Sequence, residues 1–188
     1  VVGIVMIDRE KISSKNPKIK FSYAKQIVRD SAKNPEDFLE DFDYIIELTK
    51  EKNNIIKWTG IDLLGNLATV LTDENVAKIL PMLKDFLLSG KLIPSNHALA
   101  ALGQILLQKP HFADEIIPMF LALRNIKFDT EDCRDISRGK LLEFLKENYR
   151  FIIGNKEAKE FVEECTTSTR ENVAKLAKQV LKKIKATA

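Results

Sequence analysis

A near-repetition constrains this chain more than any other feature. Residues 56–68 read IKWTGIDLLGNLA, and PSNHALAALGQIL follows at 94–106. The core of the motif returns twice more: LLGNLA at Leu63–Ala68 aligns with ALGQIL at Ala101–Leu106, KLLEFL at Lys140–Leu145 and LAKQVL at Leu176–Leu181. Gly65, Gly103, Leu142 and Lys178 therefore occupy one register position. A fifth, weaker copy, IKFSYAKQIV, runs from Ile19 to Val28. A second motif interleaves with the first, as KILPMLKDFLL at Lys78–Leu88 and EIIPMFLALR at Glu115–Arg124. DFDYIIELTK and EAKEFVEECT fill the same slot without proline. Self-similarity at this period marks a stack of small supersecondary units.

The units are helical. Apolar residues recur at three- and four-residue spacing, as in Ile56, Thr59, Gly60, Leu63, Leu64, Leu67 and again in Val76, Ile79, Leu80, Leu83, Phe86, Leu87. No useful run shows strand alternation. Expected starts carry cap chemistry: Asn34-Pro35, Asn53, Thr72 or Asp73, Asp129 or Thr130, and Ser168-Thr169-Arg170-Glu171 as a capping box. Pro81 and Pro118 fall inside apparent helices, where each removes a backbone hydrogen bond and bends its helix. A two-helix unit cannot cover its own apolar faces, so stacking neighbours must do it. The expectation is an all-α fold: a single domain over 1–188, with about four repeats wound into a short right-handed superhelix. Residues 1–16 receive no defined element.

With these motifs on the page, the chain resembles the HEAT/armadillo class of α-solenoids over roughly residues 19–185. LPMLKDFLL is similar to the family's proline-kinked first helix, and IKWTGIDLLGNLA and PSNHALAALGQIL to its second. The resemblance implies an acid six residues before a basic slot, pairing from one repeat to the next. Glu51 stands six before Lys57 and Glu164 six before Arg170. Asp129 lies one residue off for Arg134, and Ser89 and Ser95 replace both partners in the second repeat.

Composition narrows the function. Hydrophobic residues make up 45% and charged residues 30%, as in ordinary globular domains. The longest apolar run, VVGIVMI, is far shorter than the roughly 20 residues of a membrane span and lacks the flanks of a secretory signal. Cys133 and Cys165 have no CxxC spacing, which suits reduced thiols in a cytoplasmic protein. His97 and His111 have no ligand partner at helical spacing, and no glycine-rich phosphate loop occurs. We therefore expect no enzyme, no metal and no cofactor. The acids Glu36, Glu40, Asp43 and Glu47 read as a solvated helix face.

A binding role remains. Residues one, five and nine after the Lys57 position in each second helix are expected to line a concave groove: Trp58, Asp62 and Asn66; Asn96, Ala100 and Gln104; Asp135, Gly139 and Glu143; Glu171, Lys175 and Gln179. The column Asn66, Gln104, Glu143, Gln179 is mostly amide and suits the backbone of an extended peptide. Armadillo-type proteins use an asparagine column in this way, which the resemblance extends to this column. Trp58 is the expected anchor. The first expectation is a protein or peptide partner, with no membrane. The second is nucleic acid bound through basic ends, like DNA glycosylases built from HEAT-like repeats: residues 1–33 carry eight basic and three acidic groups, residues 34–75 three and ten. A third is a regulatory domain of a larger protein.

Overall fold

The computed structural model describes residues 7–187; the expectations for 1–6 lie outside them. Among the described residues the fold is all-α, without a strand. The α-helices are α1 (Arg9–Ser13), α2 (Pro17–Lys33), α3 (Phe42–Leu48), α4 (Asn54–Asn66), α5 (Asp73–Leu87), α6 (Leu92–Gln108), α7 (Ala113–Ala122), α8 (Glu131–Glu147), α9 (Lys156–Cys165) and α10 (Glu171–Thr187). No helix among the described residues is long and apolar enough to cross a membrane.

Local chemistry sets the starts. Asn53 Oδ1 accepts from the backbone N–H of Ile55 and Ile56 and opens α4. Of the paired alternatives, Thr72 and Thr130 act: their hydroxyls accept from Asn75 N and Cys133 N. Ser168 accepts from Arg170 N just before α10. Asn34-Pro35 behaves differently. Its side chain makes no cap bond, and Pro35–Asp41 winds as a 3-10 helix before α3 begins. The acidic face is therefore divided: Glu36 and Glu40 lie on the 3-10 turn, while Asp43 and Glu47 pair with Lys78 and Lys50 on α3. Pro81 and Pro118 do lie inside α5 and α7.

The chain divides into two compact units. The first is Val1–Leu83 with Ala100–Pro110, the second Lys84–Leu99 with His111–Ala188. In the first unit α2 and α3 both pack on α4. The predicted apolar stripe of α4 is buried, with Ile56, Leu63, Leu64 and Leu67 at 4% exposure or less. Residues 7–16 belong to this unit. Ile7 is buried and its N–H donates to the buried Asp41 carboxylate at 2.6 Å; Asp8 N donates to Tyr23 Oη at 2.7 Å. In the second unit α10 packs on α8 and α9, and α7 on α9. Its core holds Phe120, Leu141, Leu142, Leu145, Phe161 and Val180, all fully buried.

Several of the longer-range side-chain bonds share a sequence separation. Lys78–Asp43 spans 35 residues, Lys109–Asp73 36 and Asn66–Val28 38 in the first unit. In the second, Arg124–Glu160 spans 36, Lys91–Asp129 38 and Arg170–Asp132 38. The acids expected to serve Arg170 and Arg134 are thus engaged elsewhere. Glu164 pairs with Arg124, and Asp129 with Lys91. Ser95, a polar residue fully buried on α6, donates to Leu87 O at 2.6 Å.

Candidate functional site

In the first unit, Trp58, Asp62 and Asn66 follow one another at four-residue spacing on α4, so they share a helical face. All three are half-buried. Asn66 is held inside the chain. Its Nδ2 donates to Val28 O and to Ser31 Oγ, both at 2.9 Å, and Ser31 is fully buried on α2. That amide ties α4 to α2, so its N–H groups serve the fold. Gln104, on α6, is exposed.

In the second unit, Asn96 lies half-buried near the start of α6, and its Oδ1 is buried without a hydrogen-bond partner. Glu143 is exposed and pairs with Lys140 at 2.9 Å, one turn before it on α8. Gln179 is half-buried on α10. Two expected groove residues are corrected here. Asp135 is 3% exposed, and Gly139 is buried with its missing Cβ position 3.1 Å from Val173 Cγ2. The packing of α10 on α8 covers both.

Asp135 is the centre of a network that periodicity did not reveal. Ser168 Oγ donates to it at 2.6 Å and Arg134 Nε at 2.9 Å. Arg134, Asp135, Arg138, Glu164, Cys165 and Ser168 help to line a small cleft of about 110 Å³. Burial is the largest influence on the Asp135 carboxyl and works against its charge. The bonds from Ser168 and Arg134, with the nearby Arg134 and Arg138 charges, together outweigh it and hold the carboxyl below its ordinary value. A depressed carboxylate pKa stabilises the fold above the unfolded value and loses that effect as pH falls through the folded one. Asp135→Asn is therefore expected to cost about 1–3 kcal/mol at neutral pH and to flatten the acid limb of the stability curve. Urea melts at pH 7 and at pH 3 check both parts. A loss that stays equal at the two pH values contradicts the account.

Among the described residues no group of three or more His, Cys, Asp or Glu side chains is placed to hold a metal ion. Cys133 and Cys165 are free thiols. Burial pushes the Cys165 thiol up to about 11, which suppresses the thiolate that nucleophilic chemistry needs.

A larger hollow lies elsewhere. It measures about 740 Å³ and is lined along α10 by residues that include Glu171, Lys175, Lys178, Gln179 and Lys182. Of these, Glu171, Lys175 and Gln179 are among the residues expected to line the groove.

No protein-family profile and no curated protein sequence matches the chain. Among solved structures, the chain is similar to the crystal structure of an engineered protein, with a TM-score of 0.60 and 16% identity over 94% of this chain and 77% of that one. At that identity the likeness concerns the fold alone.

Proposed function

We propose that the chain is a HEAT/armadillo-like α-solenoid of about four repeats, a non-enzymatic cytoplasmic scaffold that binds a peptide or protein segment in a concave groove. The observation that supports the reading is a recurring span among its longer-range side-chain bonds, beside shorter ones such as Ser95–Leu87. Side chains reach partners 33 to 40 residues away in both units, as in Ser168–Asp135 and Arg124–Glu164. That is the spacing of the repeated motifs themselves. In the proposed stack each helix pair would meet its register equivalent next door, which is how two-helix units cover their apolar faces.

Within that reading, the first unit offers Trp58 as the apolar anchor, Gln104 as an amide for an extended backbone and Asp62 as a polar contact; the second unit offers Gln179 as the equivalent amide, with Asn96 and Glu143 as polar contacts. Asn66 moves from clamp to support, because its N–H groups already hold α2. Large half-buried aromatics dominate the energetics of such contacts. An affinity pull-down with the full chain tests the proposal. We expect a discrete protein partner whose affinity falls about tenfold or more in Trp58→Ala and several-fold in Gln104→Ala, with helical circular dichroism unchanged. Partner affinity untouched by both substitutions would remove the groove.

A further inference from the structure

The register of the repeats gives the hollow on α10 a specific meaning. In the second unit α8 receives α10. Asp135 meets Ser168, the Gly139 backbone lies against Val173, and Lys146 O accepts from Lys183 Nζ at 2.7 Å. One repeat on, at the 36-residue offset that aligns Leu142 with Lys178, the receiving residues Asp135, Gly139, Leu142 and Lys146 become Glu171, Lys175, Lys178 and Lys182. Those four residues line the 740 Å³ hollow. Among the described residues no helix is seated on this face of α10, and its chemistry differs from that of α8.

The position shared by Gly65, Gly103, Leu142 and Lys178 states the difference most clearly. The first three are buried; Lys178 is exposed. In the first unit the equivalent seat is so close that a Cβ on Gly65 would lie 2.8 Å from Ala101 Cα, on α6. On α10 the glycine of 139 is replaced by Lys175 and the leucine of 142 by Lys178. Lys175, Lys178 and Lys182 are exposed, and none of the ion pairs among the described residues involves them. Half-buried Ala174 and the lysine stems supply an apolar floor between the ammonium groups.

We infer that this face is a docking site for an acidic amphipathic helix of a partner protein, seated on α10 as α10 is seated on α8. The seat is the register equivalent of the helix-receiving face of α8, and its three lysines are complemented by carboxylates. The lysines recur at three and four residues, so they lie along one helical face. Carboxylates at the same spacing on a second helix would meet them while its apolar side covers Ala174. An uncharged helix would bury the ammonium groups unpaired, at high cost. A nucleic acid would satisfy the charges but leave the helix-shaped seat unused.

The test uses the full chain and fluorescence anisotropy. The probe is a labelled synthetic helix of about 18 residues, with leucines on one face and glutamates flanking them. A sequence-permuted peptide of the same composition is the control, and labelled single- and double-stranded DNA are competitors. The expected result is saturable binding of the acidic helix in preference to the permuted peptide and to DNA. The triple variant Lys175→Glu, Lys178→Glu, Lys182→Glu should weaken it about tenfold or more and should bind a helix with lysines in place of the glutamates. Since all three positions are exposed and Glu is a good helix former, an unchanged melting curve is expected. The inference is overturned if the permuted peptide binds equally, if DNA binds more tightly with the same lysine dependence, if the variant leaves acidic-helix binding unchanged, or if the charge-swapped helix fails to bind the variant.

Discussion

Gly90→Ala is expected to cost the protein about 2–5 kcal/mol. Two independent penalties meet at this residue. Its φ is +72°, in the left-handed region, where a side chain costs about 1–2 kcal/mol. A Cβ there would also lie 2.5 Å from Lys127 O, a backbone atom that cannot swing aside. Forcing such a contact apart typically costs about 1–3 kcal/mol. The chain supplies its own control. Gly154 has nearly the same φ, +74°, but a Cβ there meets nothing within 4 Å. Gly154→Ala should show the conformational penalty alone, about 1–2 kcal/mol. Parallel thermal or urea melts measure the difference. Equal losses in the two variants would mean that the Gly90 turn does not sit against the 127 backbone as described.

Gly65→Val is the second large effect, expected at about 2–4 kcal/mol. Here α4 and α6 approach through backbone. A Cβ would come within 2.8 Å of Ala101 Cα and 3.1 Å of its Cβ. Valine's methyls would push the helices apart and open gaps among Leu63, Leu64 and Leu102, all fully buried. The more diagnostic experiment is the smaller change paired with its neighbour. Gly65→Ala should destabilise, Ala101→Gly should cost about 1 kcal/mol as a helical glycine, and the double variant should lose less than the sum, with a coupling of about 0.5–3 kcal/mol. Strict additivity would mean that the two residues do not face each other.

Much of the fold was legible because it rests on local pattern. The spacing of Ile56, Leu63, Leu64 and Leu67 marks a buried stripe wherever the helix is placed. Asn53 caps by reaching two and three residues ahead. Pro81 and Pro118 align with each other and lie within helices. The candidate site was less legible, because burial there is decided by residues far along the chain. Asp135 has the same register as Trp58 and Asn96, and nothing near it in sequence distinguishes it. Ser168, 33 residues on, buries it by supplying a hydrogen bond at the mouth of α10. Asn66 likewise reads as a groove amide until Ser31 and Val28 are brought beside it. The ion pairs show the same limit: Arg124 stands outside the expected ladder, yet it takes Glu160 and Glu164, 36 and 40 residues ahead. The repeat period announces that such partners exist one unit away; which side chains meet depends on helix rotation.

The proposed stack requires register-equivalent helices to follow one another in order. Pulsed electron spin resonance tests this most directly within the second unit, with labels at exposed Thr169 paired in turn with exposed Glu131 and Ile93 in a Cys133→Ser background. Adjacent helices pack about 8–10 Å apart, so the Ile93 pair should be longer than the Glu131 pair by about 10 Å. An Ile93–Thr169 distance equal to or shorter than the Glu131–Thr169 distance would contradict the stack.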